Sequence, residues 1–360
     1  MKILFLANHL NAGGITSYLF TLARGLKSKG HEVYLASSGG EQLDKFIASG
    51  ITHFLVPLNT KNEISFKLAR CFFKLNKKVQ ELNIDRIHSN SRTTQVLGSL
   101  LSRRAQRTHI FTCHGFFKPK WGRKIFPCWG EGIIAISPQV KEHLVIDFKL
   151  APSKINVINN GIDLLSFGDF FARTKMRASF GVKDAPLIGI IARLSDVKGH
   201  LYLLRAMAKV ILHYPEARLL IVGTGKMKAK LDTEIQSLGI KKNVIFQDTV
   251  NNTQEILAAL DIFVLPSLQE GLGLALMEAM AQGLAVVGSA VGGIKNLIQN
   301  EVNGLLVRPA CVEDLSTAIL KLLGDSLLRQ NLGKHARQYI LDHFSQEQMV
   351  FETERVYGAA

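Results

Sequence analysis

Paired acidic residues of the Asp-x-Asp type occur nowhere in this chain, nor does a C-x-x-C pair or an apolar run of membrane-spanning length. The first absence removes the usual carboxylate grip on a hard divalent cation, which wants several oxygen ligands. No metal is therefore expected to take part in the chemistry. The four cysteines, Cys71, Cys113, Cys128 and Cys311, are too scattered for a disulfide framework or a zinc site. Reduced thiols make the cytoplasm the expected compartment. The third absence argues against a transmembrane helix. Ile3-Leu4-Phe5-Leu6-Ala7 is cut short by Asn8 and His9, so it reads as a buried strand rather than a signal-peptide core. Charged residues make up only 20% and hydrophobic ones 47%, which argues against disorder and allows full cores.

What is present in excess is positive charge. The net charge of +15 is carried almost wholly by one half of the 360 residues. Residues 1–165 hold 23 Lys and Arg against 10 Asp and Glu, a net of +13; the remainder hold 21 against 19, a net of +2. A basic first half suggests an anionic partner: lipid, acidic glycan, phosphorylated acceptor or nucleic acid. The length suits two domains.

Strand-like and helix-like segments alternate throughout. In the first half, strands are expected at 2–7, 32–36, 53–56, 84–88, 108–112 and 132–136, with helices at 14–29, 64–82, 92–104 and 138–147. In the second half, strands fit 187–192, 218–222, 243–246, 261–265, 284–288 and 305–307. Helices fit 199–213, 226–238, 253–259, 273–282, 293–299 and 312–323. Such alternation implies parallel sheets covered on both faces. Two α/β, doubly wound, Rossmann-like domains follow, with an interdomain cleft at the carboxyl ends of their strands. The expected division is 1–165, 166–340 and a C-terminal helical piece, 341–360, that crosses back to the first domain. The helical pattern there runs over 327–357.

The richest stretch is Pro266-Ser267-Leu268-Gln269-Glu270-Gly271-Leu272-Gly273-Leu274, followed by Glu278 inside Leu276-Met277 and Ala279-Met280-Ala281. A buried strand ends at Pro266, and a Gly-x-Gly turn feeds a helix from about Gly273. Backbone N–H groups at a helix start favour an anion. Glu270 and Glu278 can accept hydrogen bonds from hydroxyls. A carboxylate in an apolar stretch is costly without a partner, and a ligand would supply one. Anion donors beside hydroxyl acceptors suit a sugar joined to a nucleoside diphosphate.

Other motifs sit at strand ends. Arg193 and Lys198, in Arg193-Leu194-Ser195-Asp196-Val197-Lys198-Gly199, can neutralise a diphosphate and stabilise it as it leaves. Gly223 in Val222-Gly223-Thr224-Gly225 admits a close ligand or makes a plain turn. Gly13 and Gly14 open a helix after the first strand, again as a phosphate approach or a structural turn. His114 ends a first-domain strand, where it either bonds a sugar or is satisfied within a loop.

Together these residues resemble the retaining glycosyltransferases of the GT-B fold, family 4, also called group 1. The likeness spans almost the whole chain. It includes the Glu-x7-Glu segment, Asn160-Gly161-Ile162-Asp163, Gly292-Gly293 and Asn303-Gly304-Leu305-Leu306-Val307. It implies a nucleotide-diphosphate-sugar donor and same-face attack with no protein nucleophile. It also implies roles. Gly13 and Gly14 would approach phosphate and sugar, and Arg193 and Lys198 would hold the diphosphate. Glu270 would read sugar hydroxyls, aided by backbone N–H groups of Gly271, Leu272, Gly273 and Leu274. Glu278 would bind the ribose, Gly223 and Val250 would line the nucleoside pocket, and His114 would stand near the reacting carbon. Lys295-Asn296 replaces the Pro-Glu usual after Gly292-Gly293-Ile294, which puts donor identity in question.

Two basic segments bear on the acceptor. Ile64–Lys78 has helix-spaced aromatics and lysines; its expected reading is a domain helix with Phe in the core and Lys in solvent. The other reading is an anionic membrane surface. The loop 116–126, with Lys118, Lys120, Trp121, Arg123 and Lys124, is expected on the acceptor or membrane side. The acceptor is then a glycan or lipid-linked glycan of a bacterial envelope polysaccharide or lipopolysaccharide; nucleic acid is not expected. Two rivals stand: a nucleotide-sugar epimerase of the same fold, and a non-catalytic basic binding module.

Overall fold

Strand β1 (Lys2–Leu6) shows why the first unit needs helices on two sides. Ile3 and Phe5 enter one core, and Leu4 and Leu6 enter another. Side chains alternate across a strand, so an apolar run buries both faces. The computed structural model describes residues 1–60, 65–118, 122–123, 126–164, 167, 171–250 and 252–359. They form two compact units, residues 1–161 with 346–360, and residues 162–345.

In the first unit β1 is joined by β2 (Glu32–Ser37), β3 (Thr52–Leu55), β4 (Arg86–Ser89), β5 (Thr108–Cys113), β6 (Gly132–Ala135) and β7 (Ile155–Val157). The sheet order is β3-β2-β1-β4-β5-β6-β7 and every pairing is parallel. Leu4 stands opposite Tyr34 on one side and Ile87 on the other. The helices are α1 (Gly14–Ser28), α2 (Leu43–Ala48), α3 (Phe66–Glu81), α4 (Arg92–Ala105) and α5 (Pro138–Phe148).

The second unit repeats the scheme. Its strands are β8 (Leu187–Ile191), β9 (Arg218–Val222), β10 (Val244–Gln247), β11 (Ile262–Leu265), β12 (Ala285–Ser289) and β13 (Leu305–Val307). Their order, β10-β9-β8-β11-β12-β13, is again wholly parallel. Both units thus reverse direction beside their first strand, the doubly wound arrangement that puts ligands at the carboxyl edge. The helices are α6 (Phe171–Ser179), α7 (His200–His213), α8 (Lys228–Ser237), α9 (Thr253–Ala259), α10 (Leu274–Ala281), α11 (Ile294–Leu297), α12 (Val312–Gly324) and α13 (Ser326–His343). The last helix, α14 (Gln346–Ala359), belongs to the first unit.

Asp261, just before β11, ties α6 down. It accepts from the Leu187 amide at 2.8 Å and pairs with Arg173 and Arg177. In the first unit α14 packs on α1, with Met349, Val350, Val356 and Tyr357 in the core. Arg86 donates twice to the Tyr357 carbonyl, at 2.8 and 2.7 Å.

Several expectations need correction. The division falls at 161/162 rather than 165/166, and the returning piece begins at 346. The helical pattern of 327–357 is two helices, because Phe344 leaves the helical region (φ −137°, ψ 37°) and its carbonyl accepts from the Ile162 amide at 2.9 Å. Helix α2, of six residues, strand β7, of three, and helix α6, which lies where the apolar periodicity lapses, are elements the sequence reading does not anticipate. The largest correction concerns α3. Its core face is Leu68, Cys71, Leu75 and Val79, whereas Phe66 and Phe73 are 88% and 72% exposed. These two phenylalanines are not core, because they lie on the opposite side of the helix from the buried leucines.

Candidate active site

Four loops meet at the carboxyl edge of the second sheet, each following one of the adjacent strands β9, β8, β11 and β12. Backbone bonds lock them together. The Leu194 amide donates to Thr224 O at 2.9 Å, Leu268 to Val197 O at 2.8 Å, and Gly293 to Glu270 O at 3.1 Å. Glycine is needed where two loops touch. Gly199, at φ 73°, lies so close to the Pro266 carbonyl that a Cβ would collide with it, and Gly292, at φ 45°, stands in the same relation to the Glu270 carbonyl.

This packing brings Lys198 to Glu270. Their side chains form an ion pair, 20% and 13% exposed, and Ser267 Oγ stands 3.4 Å from the same carboxylate. Removing either charge would leave the other partly desolvated. Arg193 in the same loop is exposed, and among the described residues its guanidinium makes no hydrogen bond or ion pair. Helix α10 starts at Leu274, four residues after Glu270, with Gly273 as its N-cap at φ 98° and no side chain capping it. Its first N–H groups therefore lack a side-chain acceptor. The surface joins a free cation, a cation held by a carboxylate and a positive helix end.

Glu278 lies one helical turn into α10 and is half-buried. It accepts from Thr253 Oγ1 at 2.9 Å. The sequence asks for a partner for this carboxylate in its apolar stretch, and Thr253, the first residue of α9, supplies one within the protein. Val250 is half-buried, as is Gly223, whose amide donates to Gln247 O at 2.9 Å. Buried His200 follows Gly199. Burial first, then the charge of Lys198, lowers its pKa to about 4.

The carboxyl edge of the first sheet has different chemistry. His114 follows β5, and its Nε2 lies 3.0 Å from Asn90 Oδ1, so that nitrogen donates. Tyr18 packs edge-on against its ring, centroids 4.6 Å apart. Burial lowers the His114 pKa to about 3, so the imidazole is neutral at ordinary pH. Beneath it, His88 Nε2 bonds Thr112 Oγ1 and His88 Nδ1 bonds Tyr357 Oη, each at 2.7 Å. Tyr18 Oη reaches the same Thr112 hydroxyl at 3.1 Å. Asn90 is 2% exposed, and its Nδ2 has no hydrogen-bond partner among the described residues. Gly13 caps α1, again with no side-chain cap, and a Cβ there would meet nothing within 4 Å. Gly14 begins the helix and is exposed.

Of the acceptor-side residues, Lys118 and Arg123 are described; Lys120, Trp121 and Lys124 lie outside the described residues. The Arg123 guanidinium sits 4.1 Å from the centre of the Phe117 ring. The Phe117 amide donates to His143 Nε2 at 2.8 Å, which anchors this loop to α5. Among the described residues no three His, Cys, Asp or Glu side chains converge as metal ligands would.

Two family models match in succession, Glycosyltransferase Family 4 over residues 12–165 and Glycosyl transferases group 1 over residues 172–339. The chain belongs to the group 1 glycosyltransferases. This glycosyltransferase is 28% identical to an uncharacterized glycosyltransferase of Methanocaldococcus jannaschii, covering 97% of this chain and 95% of that one. It is 27% identical to the UDP-Gal:alpha-D-GlcNAc-diphosphoundecaprenol alpha-1,3-galactosyltransferase of Escherichia coli, covering 89% and 87%. The structure of Anabaena HepE in complex with UDP and glucose shares the GT-B fold, with a TM-score of 0.89 at 21% identity over 100% of both chains.

Residues missed by sequence reasoning are Thr253, Ser267 and Asn90. Ser267 lay inside the Glu270 motif and carried a local signal. Thr253 and Asn90 did not: each meets its partner only through packing of distant segments.

Proposed function

We propose that this glycosyltransferase moves a sugar from a nucleotide-diphosphate donor to a glycan or lipid-linked acceptor, with retention of configuration and without a metal. The Lys198–Glu270 pair at the uncapped start of α10 carries this reading. A diphosphate would take Lys198 and the helix N–H groups, with Arg193 free to close on its other side. Glu270, released from Lys198, would then accept from sugar hydroxyls. Glu278 would accept from the ribose beside Thr253, with Gly223 and Val250 against the nucleoside.

In the reaction an acceptor hydroxyl oxygen bonds to the anomeric carbon as the bond from that carbon to the diphosphate breaks. The hydroxyl proton passes to the departing diphosphate oxygen on the same face. Arg193, Lys198 and the N–H groups of Gly271 to Leu274 stabilise the growing negative charge. His114, neutral and held by Asn90, is assigned to the reacting sugar, as are Gly13 and Gly14. The acceptor is assigned to bacterial envelope polysaccharide or lipopolysaccharide synthesis at the inner face of the cytoplasmic membrane. The undecaprenol-linked substrate in the E. coli relative's name supports it, and so does the basic first half.

A thermal-shift panel of UDP-, GDP- and ADP-sugars tests the donor site. A ligand at a hundred times its Kd stabilises the folded state by about 2.7 kcal/mol. One nucleotide class should raise the melting temperature of the wild type and do so less in Lys198→Ala and Glu270→Ala. A panel without any shift, or equal shifts in the variants, would sink the assignment.

A further inference from the structure

We infer that the outward face of α3 (Phe66–Glu81) is a docking surface for an anionic lipid bilayer. The helix divides into two sides. Leu68, Cys71, Leu75 and Val79 are buried against the unit, where α3 packs on α4. At about 100° per residue, Phe66 and Phe73 lie within about 20° of one another on the opposite side. They are among the most exposed large apolar residues of the described chain, and with Ala69 and Arg70 they line a shallow hollow. Lys67, Arg70, Lys74 and Lys77 are exposed along the adjoining stripe. Among the described residues no carboxylate pairs with Lys67, Arg70 or Lys74. Lys77 and Lys78 share Glu81 at the far end.

An aromatic stripe beside a cationic stripe matches a bilayer surface from two directions. Phe side chains enter the boundary between headgroups and acyl chains, and cations stay level with lipid phosphates. A surface for nucleic acid would need the cations and leave two phenylalanines facing water. Lys74 also reaches back to the Leu55 carbonyl at 2.8 Å, and Leu55 is itself 61% exposed, which extends the apolar area to the end of β3. The purpose of this face rests on the lipid-linked acceptor proposed above; its affinity for lipid does not.

The test uses the full chain without donor or acceptor, sedimented with vesicles of phosphatidylcholine alone and with vesicles containing phosphatidylglycerol. The wild type should bind the anionic vesicles and bind less as salt is raised. Phe66→Ser with Phe73→Ser should weaken binding about tenfold or more. Lys67→Gln and Arg70→Gln should each weaken it about fivefold. Lys241→Gln with Lys242→Gln, exposed in the other unit, should change nothing. Melting temperatures should stay level across the set, since none of these side chains is in a core. Equal recovery with neutral and anionic vesicles would overturn the inference, as would undiminished binding by the Phe and cation variants. So would an RNA duplex that binds this face more tightly than the vesicles do. Loss of the donor shift with vesicle binding intact would instead strike the donor site alone.

Discussion

The carboxyl edges of the two sheets were built from the same strand order and turned to different chemistry. The first is a neutral, buried network: His88, Thr112, Tyr18 and Tyr357 bond one another in the interior, and Asn90 holds His114 above them. The second is charged and half-open: Lys198 faces Glu270, Arg193 has no side-chain partner among the described residues, and Glu278 is held by Thr253. A buried neutral network gives shape, because its groups have already met each other. A pair of charges at a helix start can still exchange partners with a ligand. The contrast teaches that the net positive charge of the first half belongs to its surface rather than to its carboxyl-edge interior.

Acid should break the first unit before the second, and this is the largest effect expected. Burial lowers the His109 pKa to about 3 and pushes that of His88 far down, whereas in the second unit His200 falls to about 4. The unfolded chain takes these protons near pH 6.5 and the native state refuses them. Stability is therefore whole above about pH 6.5 and falls as pH drops toward the native values, by about 1.4 kcal/mol per pH unit for each histidine. Tryptophan fluorescence reports the first unit, since Trp121 and Trp129 both belong to it. It should change at higher pH than the far-ultraviolet circular dichroism of the whole chain. Coincident transitions would erase the contrast.

Glu270→Ala addresses the charged edge. Turnover should fall at least about a hundredfold, the scale of removing one group that acts on developing charge or holds the sugar. The melting temperature should fall as well, since Lys198, 20% exposed, loses its carboxylate partner, while the chain still folds. Asn90→Asp probes the neutral edge. A carboxylate next to His114 would raise its pKa, so the acid limb of the turnover profile should move to higher pH. Turnover at neutral pH should drop about tenfold. A profile that shifts in neither limb would show that Asn90 only fills space. The smallest effect is expected for Thr253→Val. Losing one hydrogen bond to Glu278 should raise KM for the donor about fivefold, about 1 kcal/mol, with kcat nearly unchanged. Equal loss in kcat would place Glu278 in the chemical step instead.

Much of this molecule was legible before any coordinates. Strands such as β1 and β8 announce themselves because a strand buried on both faces is continuously apolar. Helix α9 was anticipated at 253–259, and the Gly-rich turn before α10 at its place, because loop glycines and helix starts leave local marks. The Glu-x7-Glu spacing already showed one carboxylate on the entering loop and one a turn into the helix. The six-residue α2, the three-residue β7 and the mostly polar α6 left no such mark, since each is too short or too weakly apolar to stand out from a loop.

The tertiary structure alone decided which side of α3 meets water, that Lys198 pairs with Glu270 across 72 positions of sequence, and that Thr253 bonds Glu278. It alone returned α14 to the first unit and placed Tyr357 against His88. Local periodicity reports what a segment must bury; it carries no information about which distant segment will cover it. Partners across the fold are set by strand order and packing, and those emerge only when all the apolar faces are buried at once.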